Sequence, residues 1–243
     1  MPKALSARIF VALIIVSGFL LVGNAVLNAH SLANVQFIAI LVLAVVAARL
    51  KVKLPGLTGT MSVNLPFILL AAALLGTTEA VLVGFISTFA QSLPQGRQKL
   101  NPVQLIFNCS AITLAVAAAR IIYVSPKFAP LVASSPLRLT LAAAGYFLVN
   151  TAVVALVISL TEKVKVVAVW KEMFQLSFVY VVASAGVAGV TLTLGPAVGW
   201  QAPFALLLVM VGVFHSYRRY FSAAVAEGRH EETVAISVEA AHV

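Results

Sequence analysis

Two apolar runs, each shorter than a full membrane crossing, stand between basic residues from Lys51 to Lys99. The stretch reads KVKLPGLTGTMSVNLPFILLAAALLGTTEAVLVGFISTFAQSLPQGRQK, and its turn holds Glu79, the only acidic residue before Glu162. Two short hydrophobic helices that leave and return to one side of a membrane produce this pattern. The runs on either side approach or exceed the roughly 18 apolar residues that mark a spanning helix. Composition agrees: 62% of the 243 residues are hydrophobic and only 9% are charged, against about a quarter charged in soluble domains. One soluble core cannot hide that much apolar surface. Alternating ten-residue strands are absent, so an outer-membrane barrel is not supported. The fold class predicted is an all-α polytopic membrane protein.

Taken in order, the apolar runs predict helices over 9–27, 32–48, 62–76, 80–93, 102–124, 137–160, 174–194 and 203–215. The segment 162–172 alternates charge with Val and Trp170 and suits a helix lying at the interface. Gly195-Pro196 reads as the end of the seventh helix, and Trp200 and Tyr217 as interface anchors. Eight spans, or six with the 62–93 hairpin re-entrant, both return the chain to its starting side. The basic residues choose that side. Thirteen of the sixteen fall on one face of this map, leaving Arg120, Lys127 and Arg138 on the other. The positive-inside bias then puts both termini in the cytoplasm. The start, with Lys3 and Arg8 before an apolar core, resembles a signal peptide but lacks a small-x-small cleavage site, so it reads as a retained helix.

The net charge of +9 is accounted for by topology and by contact with anionic lipid head groups, with no nucleic acid as partner. Cys109, alone in an apolar run, cannot build a disulfide or metal site and reads as a buried, unreactive thiol. Catalysis has little to stand on. There is no Asp, and six of the seven Glu lie in interfacial or tail segments. His30, His215, His230 and His242 fall in separate segments, and no nucleophile, phosphate-loop or zinc motif occurs. No enzyme activity, cofactor or metal is expected.

What remains is polar side chains at membrane depth: Asn64, Gln91, Gln104, Asn108, Tyr146, Asn150, Gln175 and Tyr180. Two readings stand. Asn64, Gln91, Asn108 and Asn150 line a small-ligand pocket among helices three to six, or each amide bonds a neighbouring helix for about 0.6 to 2 kcal/mol. Glu79 reads as a first-turn carboxylate at a non-cytoplasmic turn, with Thr77 or Thr78 capping the fourth helix. Ala115-x-x-x-Ala119 and Ala185-x-x-x-Gly189 invite close helix packing. Two domains are expected: a transmembrane bundle over 1–216 and a cytoplasmic helical tail over 217–243. In that tail Tyr220, Ala224, Val234, Val238 and Ala241 form a loose heptad stripe that suits a solvated tail or a dimerising signalling helix.

Several landmarks resemble a known family. Arg49, Lys51-Val52-Lys53-Leu54-Pro55-Gly56, Ser62-Val63-Asn64-Leu65-Pro66-Phe67, Leu74-Leu75-Gly76, Glu79-Ala80 and Phe107-Asn108 look like those of bacterial membrane-associated sensor domains. Such domains precede cyclic-di-GMP enzymes of the GGDEF or HD-GYP type. The tail, from Ser216-Tyr217-Arg218-Arg219-Tyr220 to Glu231-Glu232, resembles the helix that joins sensor to output. The resemblance implies an input module of the inner membrane that perceives a stimulus at or within the bilayer. Neither a GGDEF signature nor an HD…GYP pair is present, so a module without its own output domain is expected. It would act as a homodimer through the tail or on a separate cytoplasmic signalling partner. The rival is a binding component similar to that of energy-coupling-factor transporters, although helix one lacks their Ala-x-x-x-Ala face. A structural membrane protein with no ligand is a third alternative.

Overall fold

Backbone N–H and C=O groups find no water inside a bilayer, so a chain this apolar must bond within itself. The computed structural model describes residues 2–28, 34–53, 60–94, 100–127, 134–216, 218 and 219, and nearly all of them are helical. In order these are α1 (Pro2–Leu27), α2 (Val35–Arg49), α3 (Leu65–Leu74), α4 (Thr77–Ser92), α5 (Pro102–Val124), α6 (Ser135–Glu162) and α7 (Val166–Val198). A single 3₁₀ turn, Gly199–Gln201, leads into α8 (Ala202–Ser216). The protein is an all-α polytopic membrane protein. Four helices contain stretches long and apolar enough to cross a bilayer: Leu5–Leu27, Pro102–Val124, Ser135–Glu162 and Ser177–Gly195. The turn with His30, the Pro55-Gly56 loop, Arg97, Lys99, the side chain of Trp200, Tyr217 and the tail beyond Arg219 lie outside the described residues.

Local chemistry moves several boundaries from their sequence positions. Helix α2 starts at Val35 because the Asn34 side chain caps it, accepting from the Gln36 N–H at 2.8 Å. Asn101 does the same for α5, accepting from the Gln104 N–H, and Pro102 fills the first turn. There is no separate interfacial helix at 162–172. Glu162 ends α6, Lys163 turns the chain at a left-handed φ of 61°, and α7 begins at Val166. Residues 166–172 are therefore the first turns of α7, anchored by the Trp170 indole N–H, which donates to Thr151 Oγ1 at 3.1 Å. Trp170 and Phe174 also meet at 5.4 Å, and Phe174 and Phe147 at 5.5 Å. Nor does Gly195-Pro196 end α7. The helix runs on to Val198 and stops at Gly199, whose φ of 71° suits a residue without Cβ.

Two three-residue strands lie between α2 and α3. Strand β1 (Lys51–Lys53) pairs antiparallel with β2 (Thr60–Ser62), with Lys51 opposite Ser62. This ribbon is clasped to the end of α4: Lys51 Nζ donates to the Leu93 carbonyl at 2.8 Å and Arg49 Nη1 to the Ala90 carbonyl at 2.9 Å. Cations at a helix C-terminus meet both orphan carbonyls and the negative end of the dipole. Burial, and secondarily the neighbouring Arg49, hold the Lys51 ammonium below the ordinary lysine range. Replacing both by glutamine is expected to loosen the end of α4 by about 1 kcal/mol, read as faster amide exchange over 89–93.

Helix α3 is the centre of the bundle. Residues 62–72 are buried without a break, and Phe67, Leu69, Leu70, Ala71 and Ala72 expose nothing. A helix apolar all round has no solvent or lipid face. It touches α2, α4, α5, α6 and α7, while α5 also packs against α1, α4 and α6. Ala115 and Ala119 are fully buried on α5, where the small-residue spacing carries close packing. At Gly189 of α7 an added Cβ would only reach ordinary contact with Pro136 of α6, and a groove lies there instead.

Candidate functional site

At ten residues α3 is about 15 Å long, half the thickness of a hydrocarbon core. Its start is buried. Although Leu74 at the other end is exposed, the last full turn at Ala71 and Ala72 is buried, so both ends find partners in other helices.

At the start of α3, the Tyr180 hydroxyl of α7 accepts from the Leu65 N–H at 3.2 Å and donates to the Ser62 carbonyl at 2.8 Å. Asn64 occupies the cap position yet makes no side-chain cap bond. Its amide is used sideways: Oδ1 accepts from Ser62 Oγ at 2.8 Å, and Nδ2 donates to Ser87 Oγ on α4 at 3.3 Å. Ser87 in turn donates to the Gly84 carbonyl. The Asn64 carbonyl accepts from the Phe67 and Ile68 N–H groups, and Pro66 has no N–H to satisfy. Ser62, Asn64, Ser87 and Tyr180 are all buried. The β2–α3 junction, α4 and α7 thus meet in one polar joint.

At the other end, Arg120 of α5 donates from Nη1 to the Ala72 carbonyl at 2.8 Å. Glu79 stands in the first turn of α4, just beyond this end. Glu79 is buried, and its carboxylate folds over Gly76 so closely that a Cβ there would collide with Oε2. The cap of α4 is this Gly76, with no side-chain cap bond, and neither Thr77 nor Thr78 fills that role. The reason is steric, because the carboxylate needs the space above the turn that only a glycine leaves.

The four amides proposed as ligand contacts divide. Asn64 belongs to the joint, with its bonds already made. Gln91 and Asn108 are half-buried. A Cβ on Gly84 would meet Val116 and Ile112, and Arg120 bonds the Ala72 carbonyl just before α4 begins, so α4 and α5 run antiparallel. Helical spacing then brings Gln91 and Asn108 to one level on facing stripes. Asn150 sits on α6, half-buried and one turn beyond Tyr146. Among the described residues four buried polar atoms lack a partner: Thr88 Oγ1, Ser110 Oγ, Ser184 Oγ and Arg120 Nε. Thr88 lies one turn from Gly84 on the stripe that leads to Gln91. A separate groove of about 180 Å³ runs between α6 and α7 past Pro136, Thr140, Gly189 and Thr193, and none of the four amides lines it. Sequence reasoning missed Ser62 and Ser87, since a serine in an apolar run carries no signal of a partner 23 residues away.

This arrangement offers no nucleophile–base pair and, among the described residues, no group of three or more metal-ligating side chains. It is a core helix held at each end by polar side chains from other helices, an arrangement suited to transmitting displacement. Known proteins add one finding. No curated protein and no solved structure matches the chain. A family model does, over residues 7–215, and the chain belongs to the MASE9 family of membrane-associated sensor domains.

Proposed function

We propose that the protein is the input module of a signal-transduction system in a bacterial inner membrane, and that its signal leaves through the C-terminal tail. The family match carries the reading. It spans α1 to α8 almost completely and stops at residue 215, which leaves the heptad-striped segment as a region of different chemistry. The thirteen-to-three distribution of basic residues supports a cytoplasmic position for both termini. In this reading the module acts as a homodimer through the tail or on a separate cytoplasmic partner. The stimulus enters among α3 to α6, where Gln91, Asn108 and Asn150 accompany the joint at Asn64.

Single cysteines placed along 218–241 in a Cys109→Ala background, in native membranes, test it. Dimer cross-linking that rises and falls with a period of about 3.5 residues is the expected result. Uniform absence of cross-links, with α8 positions equally silent, would remove the dimeric tail. Small molecules retained on gently purified protein, identified by mass spectrometry and lost on replacing Asn108 and Asn150 by leucine, test the ligand site.

A further inference from the structure

Asn64 stands at the N-cap of α3 with an αR backbone and makes no cap bond, although asparagine is among the best N-cap residues. The cap is supplied instead from 115 residues away by the Tyr180 hydroxyl, while the Asn64 amide reaches to Ser62 and Ser87. We propose that Tyr180 and Asn64 exchange as the cap of α3. In the observed state Tyr180 caps, and α7 is bolted to the β2–α3 junction. In the other state a backbone change at Asn64 turns its Oδ1 onto a first-turn N–H, Ser87 keeps only the Gly84 carbonyl, and Tyr180 leaves the Ser62 carbonyl with α7.

Three observations support two states of similar energy. First, the bonds that would break are all neutral, and two are long, 3.2 Å for Leu65 N–H to Tyr180 and 3.3 Å for Asn64 to Ser87. The Tyr180–Ser62 carbonyl and Ser62–Asn64 bonds, at 2.8 Å each, break with them. Neutral hydrogen bonds contribute little net stability each. Second, the exchange keeps the first turn of α3 satisfied throughout. Leu65 or its neighbour trades one oxygen acceptor for another, and Phe67 and Ile68 keep the Asn64 carbonyl available. Third, α7 has room on its far half. A Cβ at Gly186 or Gly195 would meet nothing within 4 Å, and the 180 Å³ groove lies beside Gly186 and Gly189. The near half is held by Trp170, Phe174 and Phe147. Pivoting about that aromatic cluster would carry Tyr180 off the junction. Whether the exchange carries a signal rests on the sensor reading; the exchange itself does not.

Mutational coupling tests it, with two interactions of opposite sign. In Tyr180→Phe the ring remains and Asn64 takes over the cap; in Asn64→Ala, Tyr180 keeps it. Each single variant should speed hydrogen exchange at the Leu65 and Phe67 amides by less than about tenfold, whereas the double variant, with no cap left, should speed it more than about a hundredfold. Conversely, Ser87→Ala should speed this exchange in the wild type but have no further effect in Tyr180→Phe, because Asn64 has already left Ser87. Effects that multiply simply in both cycles would overturn the proposal. A tail that dimerises normally while both cycles multiply simply would sink the exchange and leave the sensor reading standing; coupled cycles with a monomeric tail would do the reverse.

Discussion

Replacing Arg120 by methionine is expected to destabilise the protein by about 2 kcal/mol, the scale of losing a hydrogen bond from a charged donor. Methionine keeps the length and most of the apolar stem. What goes is the charged donor to the Ala72 carbonyl. Glu79→Gln should cost only about 1 kcal/mol, since it removes charge but keeps hydrogen-bonding capacity and leaves Arg120 on α3. The double variant should lose slightly less than the sum of the two, because the weak attraction between the two charges is then counted once. Unfolding of the purified protein in detergent, measured for all three variants, checks this. An Arg120→Met protein no weaker than Glu79→Gln would show that the end of α3 does not depend on the Arg120–Ala72 bond.

The second large effect is a missing side chain. A Cβ on Gly18 would collide with Ser110 Cβ and come within 2.6 Å of Ser110 Cα, so the obstacle is backbone and α1 must move. Gly18→Ala should therefore cost about 2 kcal/mol, even though alanine is the better helix former by about 1 kcal/mol. Gly186→Ala makes the same chemical change in open space and should be neutral or stabilising by up to about 1 kcal/mol. Thermal midpoints of the matched pair should move in opposite directions. Within a bilayer this contrast is cleaner than in water, since lipid is as apolar as the side chains and packing rather than hydrophobic transfer decides.

How legible the fold is in the sequence depends on the kind of signal. Helix positions come from runs of apolar residues, and α5 is legible to its last residue because Asn101, Pro102 and the apolar run all agree. The seventh helix is not, because charge alternation at 162–172 reads like an interface, whereas one left-handed Lys163 lets α7 start at once. Gly195-Pro196 misleads similarly: a proline in the final turn removes only one hydrogen bond, and Gly199 makes the stop. The short strands are hidden in a basic, Gly-containing loop. In the candidate site Asn64 and Tyr180 stand out as polar groups at depth, but not as neighbours, because a contact spanning 115 residues leaves no periodicity to read. Glu79 falls in a first turn, as its position after Thr77 and Thr78 suggests. Its glycine cap is invisible in the sequence, because a carboxylate folding over Gly76 is a matter of three-dimensional space.

A helix whose two ends are finished by other helices cannot be completed in the order in which it is synthesised. When α3 leaves the ribosome, neither Arg120 nor Tyr180 has yet been made, and its ten residues are too few to hold a bilayer position on their own. Its final placement must wait for α5 and then for α7, so the middle of the protein is settled near the end of its biogenesis. Chains stopped between α5 and α7 should keep α3 in a provisional position, with the junction at Ser62 and Leu65 still open to water. The element that everything else surrounds is thus the one that depends most on helices made after it.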